Sequence, residues 1–211
     1  WLAENPYERL KKETKDIPLP RNIFFDRENS SGKDISELEN LEDLKSKIDN
    51  FKEVKVDAES IYLGRLNANN KAEKAFSISN GNEIGTITLD DPIQIKEALE
   101  KDSLDEWKAI EVNERAEILN LIADDIENNP YELIYFLINE AGKTIQNAID
   151  EIREGVDFLR YYSNQSVELF NSTELNGPTG ENNQMNCTPK GTFLCISPWN
   201  FPVAILIGQI S

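Results

Sequence analysis

The 211-residue chain contains no histidine and only two cysteines, Cys187 and Cys195. The first absence excludes Ser–His and Cys–His nucleophilic pairs, and every His-ligated metal site, within these residues. The second leaves too few thiols for a disulfide framework or a cysteine zinc site, so no metal is expected. Positive charge is also scarce: 22 Lys and Arg face 39 Asp and Glu, a net charge of −17. Binding to phosphate backbones or anionic lipid needs clustered cations, so neither nucleic acid nor a membrane surface is an expected partner. The first residues are mixed and charged rather than an apolar leader, which points to a reducing cytoplasm. Trp1 is not an initiating residue, and Ser211 interrupts an apolar run without a capping signal. The chain is therefore expected to be a piece of a longer one.

Residues 1–54 are charged and irregular and read as an acidic linker or arm. Pro18 and Pro20 fix an extended stretch, Asn29-Ser-Ser-Gly32 suggests a turn, and residues 35–51 hold one short acidic helix. Residues 54–89 are strand-like, with Ile84, Thr86 and Thr88 alternating after the turn signal Asn80-Gly81. Asp90 and Asp91 can cap a helix with Pro92 in its first position. A second helix is predicted over residues 113–127 with Ile118, Leu121, Ile122 and Ile126 facing inward. A third runs over residues 131–141 and is broken by Gly142. The most regular pattern belongs to the next helix, where Ile145, Ile149, Ile152, Val156 and Leu159 form one buried stripe. Beside it lies a mostly polar line of Asn147, Glu151, Glu154 and Phe158. That line is either a solvated face or the border of a cleft. Residues 171–189 read as a loop.

The character changes after Lys190, because residues 191–211 carry no charge. Residues 191–196 form a short β-type run of the kind buried in a parallel sheet. Residues 197–202 are a turn, and residues 203–210 start an apolar helix. A strand, tight turn and helix make half of a nucleotide-binding βαβ unit, with ligands at the carboxyl end of the strand. The usual Gly-rich fingerprint is missing.

The string Cys195-Ile-Ser-Pro-Trp-Asn-Phe-Pro202, followed by Ile207-Gly-Gln-Ile210, resembles the aldehyde dehydrogenase superfamily. Three further stretches resemble the delta-1-pyrroline-5-carboxylate dehydrogenase module of bifunctional proline utilization A proteins, in that family's order. They are Ile17-Pro-Leu-Pro-Arg-Asn22 with Asn29-Ser-Ser-Gly32 behind it, Glu140-Ala-Gly-Lys-Thr144, and Arg153-Glu-Gly-Val-Asp-Phe-Leu-Arg-Tyr-Tyr162.

The resemblance implies an α/β protein, the N-terminal portion of an aldehyde-dehydrogenase fold, with helices flanking the start of a Rossmann-like parallel sheet. Residues 55–190 would be the N-terminal strands and helices of that module, and residues 191–211 the first strand and helix start of its NAD-binding domain. It implies that Asn200 helps hold the oxyanion, that Ile196, Ser197, Pro198 and Trp199 line the NAD site, and that Glu154 and Phe201 border the aldehyde channel. FAD is implied only if a proline dehydrogenase module precedes this chain. Neither Cys187 nor Cys195 matches the family's nucleophile, which lies well beyond residue 211, as do its general-base Glu and ribose-binding Lys. Cys195 is expected to point into packing as a small hydrophobe.

The implied reaction of the intact enzyme is NAD-dependent oxidation of glutamate semialdehyde to glutamate, in proline catabolism. The implied partners are a small aldehyde, and either a homo-oligomer or a complementary fragment. Three alternatives compete with it. A membrane anchor over residues 191–211 has the length but carries Pro198, Asn200 and Pro202 in its middle. A non-catalytic split-gene remnant, or an aldehyde dehydrogenase of another substrate, fits the same Pro-Trp-Asn-Phe-Pro core.

Overall fold

The computed structural model describes residues 17–62, 65–66, 71–100 and 104–211. The first sixteen residues of the expected arm, and parts of the strand-like segment, lie outside the described residues. In chain order the elements are α1 (Leu38–Asp49), β1 (Val56–Ala58), β2 (Ile61–Tyr62), β3 (Arg65–Leu66), β4 (Ala72–Phe76), β5 (Glu83–Thr88), α2 (Pro92–Glu100), α3 (Leu104–Ala109), α4 (Val112–Asn128), α5 (Tyr131–Asn139), α6 (Ile145–Phe170), β6 (Thr173–Leu175), β7 (Asn183–Met185) and α7 (Ala204–Ile210). The fold is mixed α/β, as the sequence implies.

The stripe on α6 is the centre of the core. Ile149, Ile152, Val156 and Leu159 are buried, together with Ala148 one position to the side, while Ile145 is half-buried at the edge of the cluster. Each large aliphatic side chain so placed contributes roughly 1.5–3 kcal/mol. Against this face pack Ile134, Tyr135 and Leu137 of α5, Ala123 of α4, and Leu44 and Ile48 of α1. The acidic helix expected in the arm is thus part of the core rather than an appendage: its charged face meets water while two aliphatic residues four apart turn inward.

The inward face of α4 differs from the expected one. Ile118, Leu121 and Ile122 are exposed, whereas Ala116 and Ala123 are buried and Leu119 and Ile126 lie half-buried. Both rows recur at helical spacing, and close approach of α4 to α6 selects the row with two alanines. Ser163 of α6 fixes the approach by donating its hydroxyl to the Ala116 carbonyl at 2.9 Å.

The main sheet has the order β1-β5-β4, with β1 parallel and β4 antiparallel to β5. The Asn80-Gly81 signal lies in the β4–β5 connection, where Gly81 takes a φ of +73° and its N–H meets the Ser77 carbonyl at 2.9 Å. Asp91 caps the following helix through the Ile93 N–H at 2.8 Å.

Three further expectations need correction. The segment 171–189 is not all loop, since β6 and β7 form an antiparallel hairpin within it. Residues 191–196 do not form a strand among the described residues, and Phe193, Leu194 and Ile196 are exposed. A buried strand takes its backbone partners from neighbouring strands and its cover from helices, and none is placed against this segment. Asn29-Ser-Ser-Gly32 is not a turn. It runs as an open strap across α4 and α6, where Asp157 accepts the Ser30 N–H at 2.6 Å and its hydroxyl at 2.8 Å, and Glu127 accepts the Ser31 N–H at 2.7 Å.

Candidate active site

The two prolines at 198 and 202 each fix one backbone torsion, so the segment between them has few shapes available. It closes as the expected turn, with the Phe201 N–H donating to the Pro198 carbonyl at 3.2 Å. The chain then enters α7 directly, and Val203 and Ala204 would carry unpaired amide hydrogens. A carboxylate from another helix meets both. Glu151 of α6 accepts the Val203 N–H at 2.8 Å and the Ala204 N–H at 3.3 Å on the same oxygen. Its second oxygen pairs with Lys143 Nζ at 2.7 Å, and that ammonium stands 4.4 Å from the centre of the Phe201 ring.

Lys143 reaches this place because α5 ends at a left-handed glycine. Gly142 has a φ of +71°, and the Lys143 N–H turns back to the Leu137 carbonyl at 3.0 Å. On the other side of the turn, Gln209 of α7 donates to the Ile196 carbonyl at 3.1 Å and its own carbonyl meets the Cys195 thiol at 3.4 Å. Cys195 is half-buried, not enclosed as expected. Helix α7 itself lies close on α6, where Gly155 makes room for the end of Ile207 and Gly208 for the Phe158 ring.

The residues singled out from the sequence divide into two groups. Ile196, Ser197, Pro198, Trp199, Asn200 and Phe201 sit on one continuous turn. Trp199 and Asn200 are exposed, Trp199 at 84%, beside an apolar groove walled by Ile78, Phe136, Pro202 and Val203. Glu154 is exposed on α6 and borders a different groove, with Phe24, Arg27, Asn29 and Tyr161. Among the described residues no hydrogen bond or ion pair joins Glu154 to the turn. The polar line on α6 is therefore not uniform: Asn147 and Glu154 face water, Phe158 is half-buried, and Glu151 is 1% exposed. Glu151 and Lys143 were invisible as site residues in the sequence, where one belongs to a polar line and the other to the Gly-Lys-Thr string. A buried acid on a polar line has no local signature, because the backbone amides it accepts from lie 52 and 53 positions away.

Among the described residues no group of three or more His, Cys, Asp or Glu is arranged to hold a metal ion. No helix among them is long and apolar enough to cross a membrane. Ile196 and Trp199 leave exposed, uncharged surface at the end of the run 191–196.

Comparison with known proteins identifies the family. Residues 66–211 match the model of the aldehyde dehydrogenase family. The bifunctional protein PutA of Escherichia coli (strain K12) is 35% identical over 199 residues, covering 92% of this chain and 14% of that protein. The 1-pyrroline-5-carboxylate dehydrogenase 1 of Halalkalibacterium halodurans is 39% identical over 102 residues, covering 48% of this chain and 20% of that enzyme. Among solved structures, proline utilization A from Bdellovibrio bacteriovorus superposes with a TM-score of 0.82 at 25% identity, over 92% of this chain and 20% of that one. A Thermus 1-pyrroline-5-carboxylate dehydrogenase solved with bound NAD shares the fold with a TM-score of 0.78 at 24% identity, over 86% of this chain and 36% of that one. The chain thus spans a small fraction of the relatives it matches, and by the match over residues 66–211 it belongs to the aldehyde dehydrogenase family.

Proposed function

We propose that residues 1–211 form the N-terminal part of a 1-pyrroline-5-carboxylate dehydrogenase unit in a longer, cytoplasmic, homo-oligomeric enzyme of proline catabolism. The reaction is NAD-dependent oxidation of glutamate semialdehyde to glutamate. The observation that carries this reading is the constrained turn 198–202, which presents the Asn200 side chain outward at the end of an uncharged run. PutA and 1-pyrroline-5-carboxylate dehydrogenase relatives supply the substrate class.

In this reading a cysteine thiolate from outside these residues attacks the aldehyde carbon, and the carbonyl oxygen gains negative charge. The Asn200 amide donates a hydrogen bond to that oxygen. Its partner charge exists only as the reaction proceeds, so the bond strengthens toward the transition state and lowers the barrier. Ile196, Ser197, Pro198 and Trp199 would hold the cofactor as one largely apolar wall; Phe201 would border the path of the aldehyde at the turn, and Glu154 from the separate groove on α6. NAD, when bound, would accept the hydride, and water would then attack the resulting thioester to release glutamate and return the thiolate. Cys187 and Cys195 take no part.

The exposure of Phe193, Leu194 and Ile196 favours cover by further polypeptide. That cover comes from the same chain in the primary reading, or from a complementary fragment in the second.

The coding sequence past the Ser211 codon separates these, since an open frame that supplies a cysteine and a glutamate in family context fits only the first. Assay of the encoded full-length enzyme with glutamate semialdehyde against a panel of aldehydes then tests the substrate. Asn200→Ala is expected to lower kcat by about 10²–10³-fold with little change in KM. The 211-residue chain alone is expected to form no NADH; turnover by it would overturn the assignment of the nucleophile.

A further inference from the structure

We infer that Glu151 is the positioning residue of the Asn200 turn: one buried carboxylate sets the backbone behind the turn and, through Lys143, the ring within it. Four observations carry this. Glu151 is enclosed, whereas Asn147 and Glu154 on the same face of α6 are in water. Burying a carboxylate costs several kcal/mol before its partners are counted, and well-packed apolar side chains often replace buried ion pairs without loss of stability. The burial cost at this position is thus set against the two backbone amides that the carboxylate caps, which an apolar side chain would leave unpaired.

The partners are also specific. Both hydrogen bonds to Oε1 come from Val203 and Ala204, the first backbone amides after Pro202. Pro198 and Pro202 restrain the turn internally; Gln209 of α7 ties its entry at Ile196, and Glu151 holds both its exit after Pro202 and the start of α7. Lys143, paired with the second oxygen, is held with its ammonium over the face of Phe201, the residue next to Asn200.

Finally, the Asn200 side chain has no hydrogen-bond partner among the described residues. No other side chain braces it, so the position of its Cα is set by the backbone of the turn. A donor must be held within about 0.5 Å of its productive place to act as a preorganised group. Displacement of the turn by loss of Glu151 would therefore reach Asn200 undamped. The inference rests on the proposed role of Asn200 only for its chemical consequence, and the geometry is tested without aldehyde or NAD.

The test is amide hydrogen exchange on the 211-residue chain and its Glu151→Ala, Glu151→Asp and Glu151→Gln variants. Glu151→Ala is expected to speed exchange at Val203 and Ala204 by about tenfold or more, with amides of α4 and the middle of α6 within about twofold of the parent. Glu151→Gln keeps an oxygen acceptor in place and is expected to restore slow exchange at both amides. Glu151→Asp keeps the charge but falls short, and is expected to behave as Glu151→Ala does. If Glu151→Ala does not fold, the Asp and Gln pair decides alone. Three outcomes would overturn the proposal: unchanged exchange at Val203 and Ala204, faster exchange spread equally over α4, α6 and the turn, or a Gln variant as loose as Ala or Asp. Failure of the dehydrogenase assay would leave the exchange result standing.

Discussion

Single carboxylates do much of the joining in this chain, and each works by a different balance. Burial pushes the Glu127 carboxyl up, but hydrogen bonds from Arg160 and from Ser31 outweigh it and hold the group below the usual glutamate range. Arg160 is itself almost enclosed, forking to Asp124 at 2.8 Å and Glu127 at 2.7 Å. A carboxyl with a lowered folded pKa adds stability that is present above its unfolded value and lost as pH falls through the folded one. The urea midpoint is therefore expected to drop as pH falls below about 4.3, with part of that slope due to Glu127. Glu127→Gln should flatten the slope by its share; an unchanged slope in the variant would show that the strap is held by other groups. The Asn200 turn was legible at this scale because prolines, tryptophan and asparagine in fixed order are rare by chance. Glu151 was not, because a sequence shows an acid's neighbours along a helix and not the amides it meets across one.

Whole elements were legible where periodicity left one answer. The α6 stripe, the capped start of α2, and the glycine stop after α5 follow from local chemistry. The phase of α4 did not, since two apolar rows compete and only contact with α6 chooses the alanines. The extended run at 191–196 fails for the opposite reason: its composition suits a buried strand, but a strand needs partners that local sequence cannot supply. In the sheet, Gly85 of β5 has a φ of +155°, and a Cβ there would stand 1.9 Å from the Val56 carbonyl oxygen of β1. Gly85→Val is expected to drive β1 away and cost about 1–3 kcal/mol in chemical denaturation. Exchange protection should be lost at the β1–β5 pairing while the β4–β5 hairpin persists. Retained protection at residues 56–58 would show that the strand pair tolerates the side chain.

At the scale of the molecule, strong negative charge and a localised apolar surface oppose each other. A net charge of −17 keeps copies apart, while Phe193, Leu194, Ile196 and Trp199 crowd one exposed run. Self-association is therefore expected to rise with salt as repulsion is screened. Leu194→Glu should suppress it, as read by sedimentation velocity from low to high ionic strength. Association of equal strength in the variant would place the sticky surface elsewhere.

The strap across α4 and α6 also sets a schedule. The bond from Ser30 to Asp157 joins residues 127 positions apart. On a ribosome adding about 5–20 residues per second, Ser30 waits roughly 6–25 s before its acceptor has even been made. During that interval Leu44 and Ile48 of α1 also wait for α5, the helix they pack beside. The newborn chain thus holds α1 and the strap unpaired until first α5 and then α6 have been made.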